Sequence, residues 1–126
     1  RGDEYAACLM NALLGGEPFV FNGNIPNTNL ITNLPPEVCV EVPIYANHSG
    51  LQPLSIGALP PQLAALNNIN IASEEMAVQA ALTGNSEMLF HAVAYDPLTA
   101  AVLSLAEIRK MVREMLNKNK RWLPHF

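Results

Sequence analysis

The sequence has little charge and no long apolar run, and each shortage excludes a class of protein. Only 14% of the 126 residues are charged while 50% are hydrophobic, so the chain can form a packed core and is not a disordered segment. No apolar run reaches the ~18–20 residues that a membrane-spanning helix needs. No charged start followed by an apolar stretch and a cleavage site marks a signal peptide. We therefore expect a cytoplasmic globular chain with no membrane partner.

Cysteine is also scarce. The two cysteines, Cys8 and Cys39, are too few for a disulfide framework in a chain of this length. We predict two buried, reduced thiols. A Cys8–Cys39 bridge or a shared metal site is the alternative interpretation.

Positive charge is almost absent before residue 109. Residues 1–108 carry one cation, Arg1, and are otherwise acidic, whereas six of the seven lysines and arginines follow. The acidic part cannot hold nucleic-acid phosphates. The basic end could be a nucleic-acid patch, but a solvated helix face explains it better, so we expect no nucleic-acid partner.

The first half of the chain alternates between a helix and short strands. The stretch Asp3–Leu14 is apolar on nearly every face, which predicts a buried helix with neighbours all round. Strands are predicted at Phe19–Phe21, Val38–Val42 and Leu51–Ile56, with Pro43 confined to a strand end or an edge. Between the first two strands, residues 22–33 are rich in asparagine and glycine and predict a loop.

The second half is helical. A long helix is predicted from Pro60 to Thr83, with a possible break in the weak helix formers Asn67–Ile71, and a second at Ser86–Tyr95. Ser104 and Glu107 predict a capping box that begins the last helix, and Trp122 and the apolar residues after it are expected to pack back onto the protein. The order indicates an α+β fold of short strands plus long helices.

No complete catalytic group of residues is visible. The glycines do not match a dinucleotide-binding loop, and the three histidines are too scattered to bind a metal. Two features leave a function open. The asparagine-rich segment is a series of turns or a surface whose amides bind sugar hydroxyls. The helix start with Arg1 and Tyr5 has two interpretations. Either Arg1 forms a salt bridge and Tyr5 packs in the core, or this end of the helix faces an anion or a sugar.

Several runs resemble, in order and spacing, the pattern of glycoside hydrolase family 4. The helix start Glu4–Ala6 precedes them, and the runs are NIPN at 24–27, ITNLP at 31–35, VEVP at 40–43, GALPPQLAAL at 57–66, residues 75–84, DPL at 96–98 and LP at 123–124. The resemblance covers the whole chain and is closest to the α-galactosidase and α-galacturonidase branch rather than to the 6-phosphoglycosidases.

The resemblance implies a fold and a chemistry. It implies the C-terminal part of a domain similar to the C-terminal domain of lactate and malate dehydrogenases, as a single domain over residues 1–126 without the N-terminal Rossmann domain. The family cleaves glycosides with NAD and a divalent metal, usually Mn²⁺, by oxidation at C3, elimination, addition of water and reduction. Both cofactors are expected in the full-length enzyme and neither on this chain alone.

Little of that machinery transfers to the residues of this chain. The family's metal ligands, base tyrosine and NAD loop match no position here, so we assign no catalytic, cofactor-binding or metal residue. Arg1, Tyr5, Asn27 and Asn33 are predicted as substrate-binding contacts. The expected partners are the N-terminal Rossmann portion, a small-molecule glycoside and other copies in a homo-oligomer, dimer or tetramer. The alternative is a non-catalytic oligomerisation or binding module.

Overall fold

A computed structural model describes residues 5–123 and 125–126 and confirms the α+β fold. The chain forms two compact units, residues 1–64 and residues 65–126, so the boundary falls in the first turn of a helix. The assignment of residues 1–126 to a single domain stays a prediction. The predicted helix start at Asp3 lies outside the described residues.

The first unit contains a helix and a three-stranded antiparallel sheet. Its elements are α1 (Ala6–Leu13), β1 (Phe19–Pro26), β2 (Cys39–Asn47) and β3 (Gly50–Pro53). The order across the sheet is β1-β2-β3, so β2 is central. Helix α1 contacts β1 and β2.

One face of the sheet forms the core of this unit. Alternate residues of β2 are buried, as the two-residue period of a strand requires, and they pair with the half-buried residues of β1. Leu30 and Ile31, from the loop between the two strands, complete the cluster. The buried strand residues are Val40, Val42, Ile44 and Ala46.

Two predictions about these strands were wrong. Strand β1 continues through the asparagine-rich segment to Pro26, because its residues pair in register with β2 up to Cys39. Pro43 lies inside the central strand rather than at an end or an edge. Its carbonyl accepts a hydrogen bond from Leu54 N at 2.9 Å, so its ring nitrogen faces the side where β3 has already ended at Pro53. The missing N–H therefore costs no bond of the sheet.

Helix α1 and the cysteines are more exposed than predicted. Only Ala12 of this helix is buried, whereas Leu14 just after it is 89% exposed. Cys8 and Cys39 are free and exposed, not buried. Cys39 is exposed because it begins β2 on the face opposite the core, where alternate side chains point to solvent.

The second unit is helical. It contains most of α2 (Pro61–Thr83), then α3 (Ser86–Tyr95), α4 (Pro97–Val102) and α5 (Leu105–Asn119). Helix α2 continues through Asn67–Ile71 without the break allowed for there, although these residues have a weak helix propensity. Asn85 caps α3, Asp96 caps α4, and the capping box of Ser104 and Glu107 is confirmed.

The helical core is small. Phe90, Ile108 and Val112 are its buried residues, and helix α3 contacts α4 and α5. The prediction that Trp122 packs back onto the protein was wrong, since its side chain is 73% exposed and Arg121 lies over its ring. No helix within residues 5–123 combines the length and hydrophobicity of a bilayer span.

Candidate functional site: the asparagine loop

The loop between β1 and β2, residues 27–38, is here named the asparagine loop. Asn27, the first residue of this loop, is buried with 1% of its area exposed. Its amide oxygen accepts hydrogen bonds from Leu30 N and Ile31 N, both at 3.0 Å. Its amide nitrogen donates to three backbone carbonyl oxygens, those of Ile31 at 2.9 Å, Leu34 at 3.2 Å and Pro35 at 2.9 Å.

The backbone of Asn27 closes the same loop. Asn27 N donates to Val38 O at 2.8 Å, and Glu37 N donates to Asn27 O at 3.1 Å. Glu37 has a positive φ of 65°, a backbone conformation that is uncommon for a residue with a side chain. The two polar ends of the Asn27 amide are thus fully occupied by backbone groups, and the loop has one specified conformation.

Asn33 joins the loop to the segment that follows the sheet. Its amide nitrogen donates to Leu59 O at 2.7 Å, and its amide oxygen accepts from Leu59 N at 2.9 Å. Ile56 N donates to Leu30 O at 2.8 Å, and Thr32 N donates to Gly57 O at 3.0 Å. These bonds extend the asparagine loop as a short parallel bridge between Ile31 and Gly57.

Of the four predicted substrate contacts, three can be placed. Arg1 lies outside the described residues. The Tyr5 ring stacks on Phe21 of β1, with ring centroids 5.6 Å apart, and its side chain is 54% exposed. Asn27 and Asn33 lie in the asparagine loop, and a direct sugar contact by either amide would require it to give up a backbone partner. Contact of these residues with substrate stays a prediction.

At the polar tip of the loop, Asn29 belongs to the asparagine-rich segment predicted as turns or a sugar-binding surface, whereas Thr28 was not predicted as a site residue. Thr28 and Asn29 follow Asn27 and are both exposed. Asn29 has a φ of 66°, in the left-handed region that asparagine tolerates better than most residues. No signal in the sequence singles out these two residues, because their exposure becomes evident only once Asn27 is seen to be buried.

The described residues do not fit a metal or a dinucleotide. Among residues 5–123 and 125–126, no three histidine, cysteine or acidic side chains lie close enough together to hold a metal ion. Gly15 has a φ of 94° and ends helix α1, and a side chain at Gly16 would collide with that of Asn11. These two glycines therefore serve the end of the helix and not a phosphate-binding loop.

The basic end of the chain is partly paired. Arg109 makes a two-pronged ion pair with Glu87, with both N–O distances 2.7 Å, and lies over the Phe90 ring at 3.8 Å. The hydrogen bond from Arg109 lowers the pKa of Glu87. A cavity of about 130 Å³ beside the pair is lined by both charges and by Arg113. This arrangement supports a solvated helix face with an ion pair on its surface.

Comparison with known proteins identifies the class to which this fold belongs. The profile of the family 4 glycosyl hydrolase C-terminal domain matches residues 1–99. An α-galactosidase of Bacillus subtilis is 40% identical over all of this chain, which covers 29% of that protein. An α-galacturonidase of Lachnoclostridium phytofermentans is 34% identical over 96% of the chain and 26% of its own length. The chain therefore belongs to glycosyl hydrolase family 4, on the α-galactosidase and α-galacturonidase side.

Solved structures show the same fold. A 6-phospho-α-glucosidase from gut microorganisms, in complex with NAD and glucose-6-phosphate, matches 93% of the chain with a TM-score of 0.77 and 25% identity. A 6-phospho-β-glucosidase from Thermotoga maritima, with manganese, NAD⁺ and glucose-6-phosphate, matches 94% with a TM-score of 0.78 and 22% identity. The chain spans 26% and 28% of these two proteins, so it corresponds to a minor part of each.

Proposed function

We propose that this chain is the C-terminal part of a glycosidase that hydrolyses α-galactosides or α-galacturonides. The observation that carries the proposal is the 40% identity to an α-galactosidase over every residue of the chain. The family match over residues 1–99 and the α-galacturonidase relative support the same substrate group.

The cofactors of the proposed enzyme are NAD and Mn²⁺, and the hydrolysis follows the oxidation, elimination, addition and reduction sequence implied by the family. Among the described residues no three histidine, cysteine or acidic side chains are grouped as metal ligands. The proposal therefore assigns both cofactors to other parts of the full-length protein and leaves the chain to cover the substrate.

The substrate side of the chain is proposed to be the asparagine loop together with the start of α1. Arg1 and Tyr5, which precede the helix in the sequence, would contact the sugar. Asn27 and Asn33 would contribute from the loop, where their side-chain amides are hydrogen-bonded to backbone groups. The proposal is supported by the hydrogen bonds that backbone groups make with both amides, since groups held in place before binding lose less entropy on contact with a ligand.

Helix α1 is proposed to face the rest of the enzyme. Met10 on this helix and Tyr5 and Leu14 at its two ends expose 58%, 54% and 89% of their area, a high exposure for large side chains around one short helix. Apolar area of this kind is commonly covered by another surface. We propose that the N-terminal portion of the full-length protein covers it and that the 126-residue chain alone is inactive.

Two preparations test the proposal. The full-length protein and the 126-residue chain are each assayed with a nitrophenyl α-galactoside and a nitrophenyl α-galacturonide in the presence of NAD, Mn²⁺ and a thiol reductant. We expect turnover of one of these substrates by the full-length protein and none by the chain alone. A full-length protein that cleaves neither would overturn the assignment, and turnover by the chain alone would overturn its dependence on the missing portion.

A second candidate is an oligomerisation module in the cytoplasm. Leu98 and Val102, one helical turn apart on α4, expose 81% and 80% of their area. Such a pair favours a contact with another copy, as a dimer or tetramer. Sedimentation of the full-length protein tests this: a Leu98→Ser, Val102→Ser variant should dissociate, whereas a monomeric parent would contradict it.

The free cysteines Cys8 and Cys39 support the proposed cytoplasmic location, since thiols stay reduced in a reducing compartment.

A further inference from the structure

The tip of the asparagine loop presents two polar side chains, those of Thr28 and Asn29. Thr28 and Asn29 are exposed, and within the described part of the chain neither the hydroxyl nor the amide makes a hydrogen bond. Both groups donate and accept, so each can bond a sugar hydroxyl in either direction. The amides of Asn27 and Asn33 have no such freedom, since backbone groups occupy them.

The backbone holds this tip in place from both sides. Thr28 N donates to Pro26 O at 2.9 Å, at the last residue of β1. Leu30, directly after Asn29, is 6% exposed and belongs to the core. Asn29 itself keeps a φ of 66°. A residue with a side chain adopts this conformation at a cost, and such costs persist where the surroundings fix the backbone and are concentrated at ligand-binding positions.

The charge of the loop selects among ligands. Glu37 is the one charged residue of residues 27–38, and it is acidic. A phosphate or a uronate carboxylate needs cationic or strongly donating partners, which the loop does not offer. Its tip suits neutral hydroxyl groups.

We infer that Thr28 and Asn29 are specificity-determining residues that hydrogen-bond neutral sugar hydroxyls, and that Asn27 and Asn33 are positioning residues which hold them. This inference rests on the proposed function and deepens it, because it assigns the neutral hydroxyl groups of the sugar to named residues at the tip of the loop. It also separates two roles that the sequence places in one asparagine-rich segment.

The test uses the full-length enzyme with single variants and a nitrophenyl α-galactoside. Thr28→Val removes a hydroxyl at nearly constant shape, and Asn29→Gly removes the amide while keeping the left-handed backbone available. Each should raise KM about threefold to tenfold, the effect of one lost hydrogen bond, with kcat within about twofold and an unchanged melting temperature. Ser49→Ala, at the β2–β3 turn and so at the other end of β2, is the matched control and should leave KM unchanged.

The outcomes separate the inference from the proposed function. If the parent enzyme cleaves α-galactosides and both tip variants keep its KM, the inference is wrong while the proposed function stands. If KM rises only together with a loss of melting temperature, the two residues are structural and the inference is again wrong. If the parent cleaves no α-glycoside, the proposed function fails, and the inference that rests on it fails too.

Discussion

The amide that fixes the loop within residues 5–64 is buried, whereas the helix caps and the ion pair of residues 65–126 are exposed or half-exposed. Asn27 makes five side-chain hydrogen bonds to backbone groups with 1% of its area exposed. The helical unit instead has Asn85, Asp96 and Ser104 at exposed or half-exposed helix starts and the ion pair of Glu87 with Arg109.

The difference teaches where single changes matter. A buried amide leaves several backbone groups without a partner when it is removed, because water cannot replace it. A surface cap or ion pair is replaced in part by solvent. The loop should therefore be the most sensitive part of the chain, and the helix starts should be tolerant.

The largest effect is expected for Asn27→Ala. It leaves Leu30 N and Ile31 N without their acceptor and removes the donor to three carbonyls. We expect a loss of about 2–4 kcal/mol in the free energy of unfolding, measured by urea denaturation. Asn22→Ala, at an exposed position of β1, is the control, with a change within about 0.5 kcal/mol. Equal effects of the two changes would remove the contrast between buried and exposed amides.

A smaller effect is expected for Gly23→Ala. A methyl group at this position on the core face of β1 would lie 2.7 Å from Ile44 Cδ1 and 3.0 Å from a Phe21 ring carbon. The crowding should cost about 1–2 kcal/mol in thermal unfolding. Adding Ile44→Val removes the crowded methyl, so the double variant should lose less than the sum of the two single losses. Simple additivity would show that the strand moves apart instead.

Ser104→Ala tests the surface contacts of the helical unit. The Ser104 hydroxyl accepts from Glu107 N at 3.4 Å, and Ser104 N donates to the Glu107 carboxylate at 2.8 Å. Loss of this cap should cost about 1 kcal/mol, read from the melting temperature. Ser86→Ala is the control, since Ser86 begins α3 but Asn85 caps that helix. A loss as large as that of Asn27→Ala would contradict the ranking.

The smallest effect is a pH dependence. The hydrogen bond from Arg109 lowers the pKa of Glu87, and bonds from Thr99 and Ser104 lower the pKa of Asp96 and Glu107. Each lowered pKa stabilises the fold above the unfolded pKa near 4, and this stability is lost as pH falls through the folded pKa. Glu87→Gln should therefore destabilise slightly at pH 7 and differ less from the parent in acid.

Salt and a second carboxylate, Glu75, control that measurement. High salt should reduce the effect of Glu87→Gln, because the pair is exposed to solvent. Glu75→Gln removes an exposed carboxylate on α2 that makes no ion pair within the described residues. An effect of Glu87→Gln that grows toward acid pH would reverse the sign expected here.

The parts of the fold that depend on neighbouring residues could be predicted. The cap at Asn85 and the capping box of Ser104 and Glu107 are local, so helices α3 and α5 begin where the sequence indicates. The family resemblance of the runs from Asn24 onward was also confirmed. The order and spacing of these runs can be read from the sequence without knowing which residues are in contact.

The parts of the fold that depend on contacts between distant residues could not be predicted from the sequence. Pro43 is accepted in the central strand because β3 ends beside it, which the sequence around Pro43 does not reveal. The Asn27 side chain bonds carbonyls up to eight residues away. The sequence alone therefore does not distinguish a buried Asn27 that bonds the backbone from an exposed Asn27 that contacts a sugar. For the same reason Thr28 was not predicted as a site residue and Asn29 was predicted only as part of the asparagine-rich segment, since their exposure follows from the burial of Asn27 beside them.

The rigidity of the asparagine loop is tested most directly by hydrogen exchange of the full-length protein, read at the amides of Leu30 and Ile31. Both donate to the buried Asn27 oxygen at 3.0 Å, so we expect them to exchange as slowly as the amides of the central strand β2. The backbone N–H of the exposed residue Asn29 should exchange quickly. Rapid exchange at Leu30 and Ile31 would contradict the claim that Asn27 holds the loop in a fixed conformation.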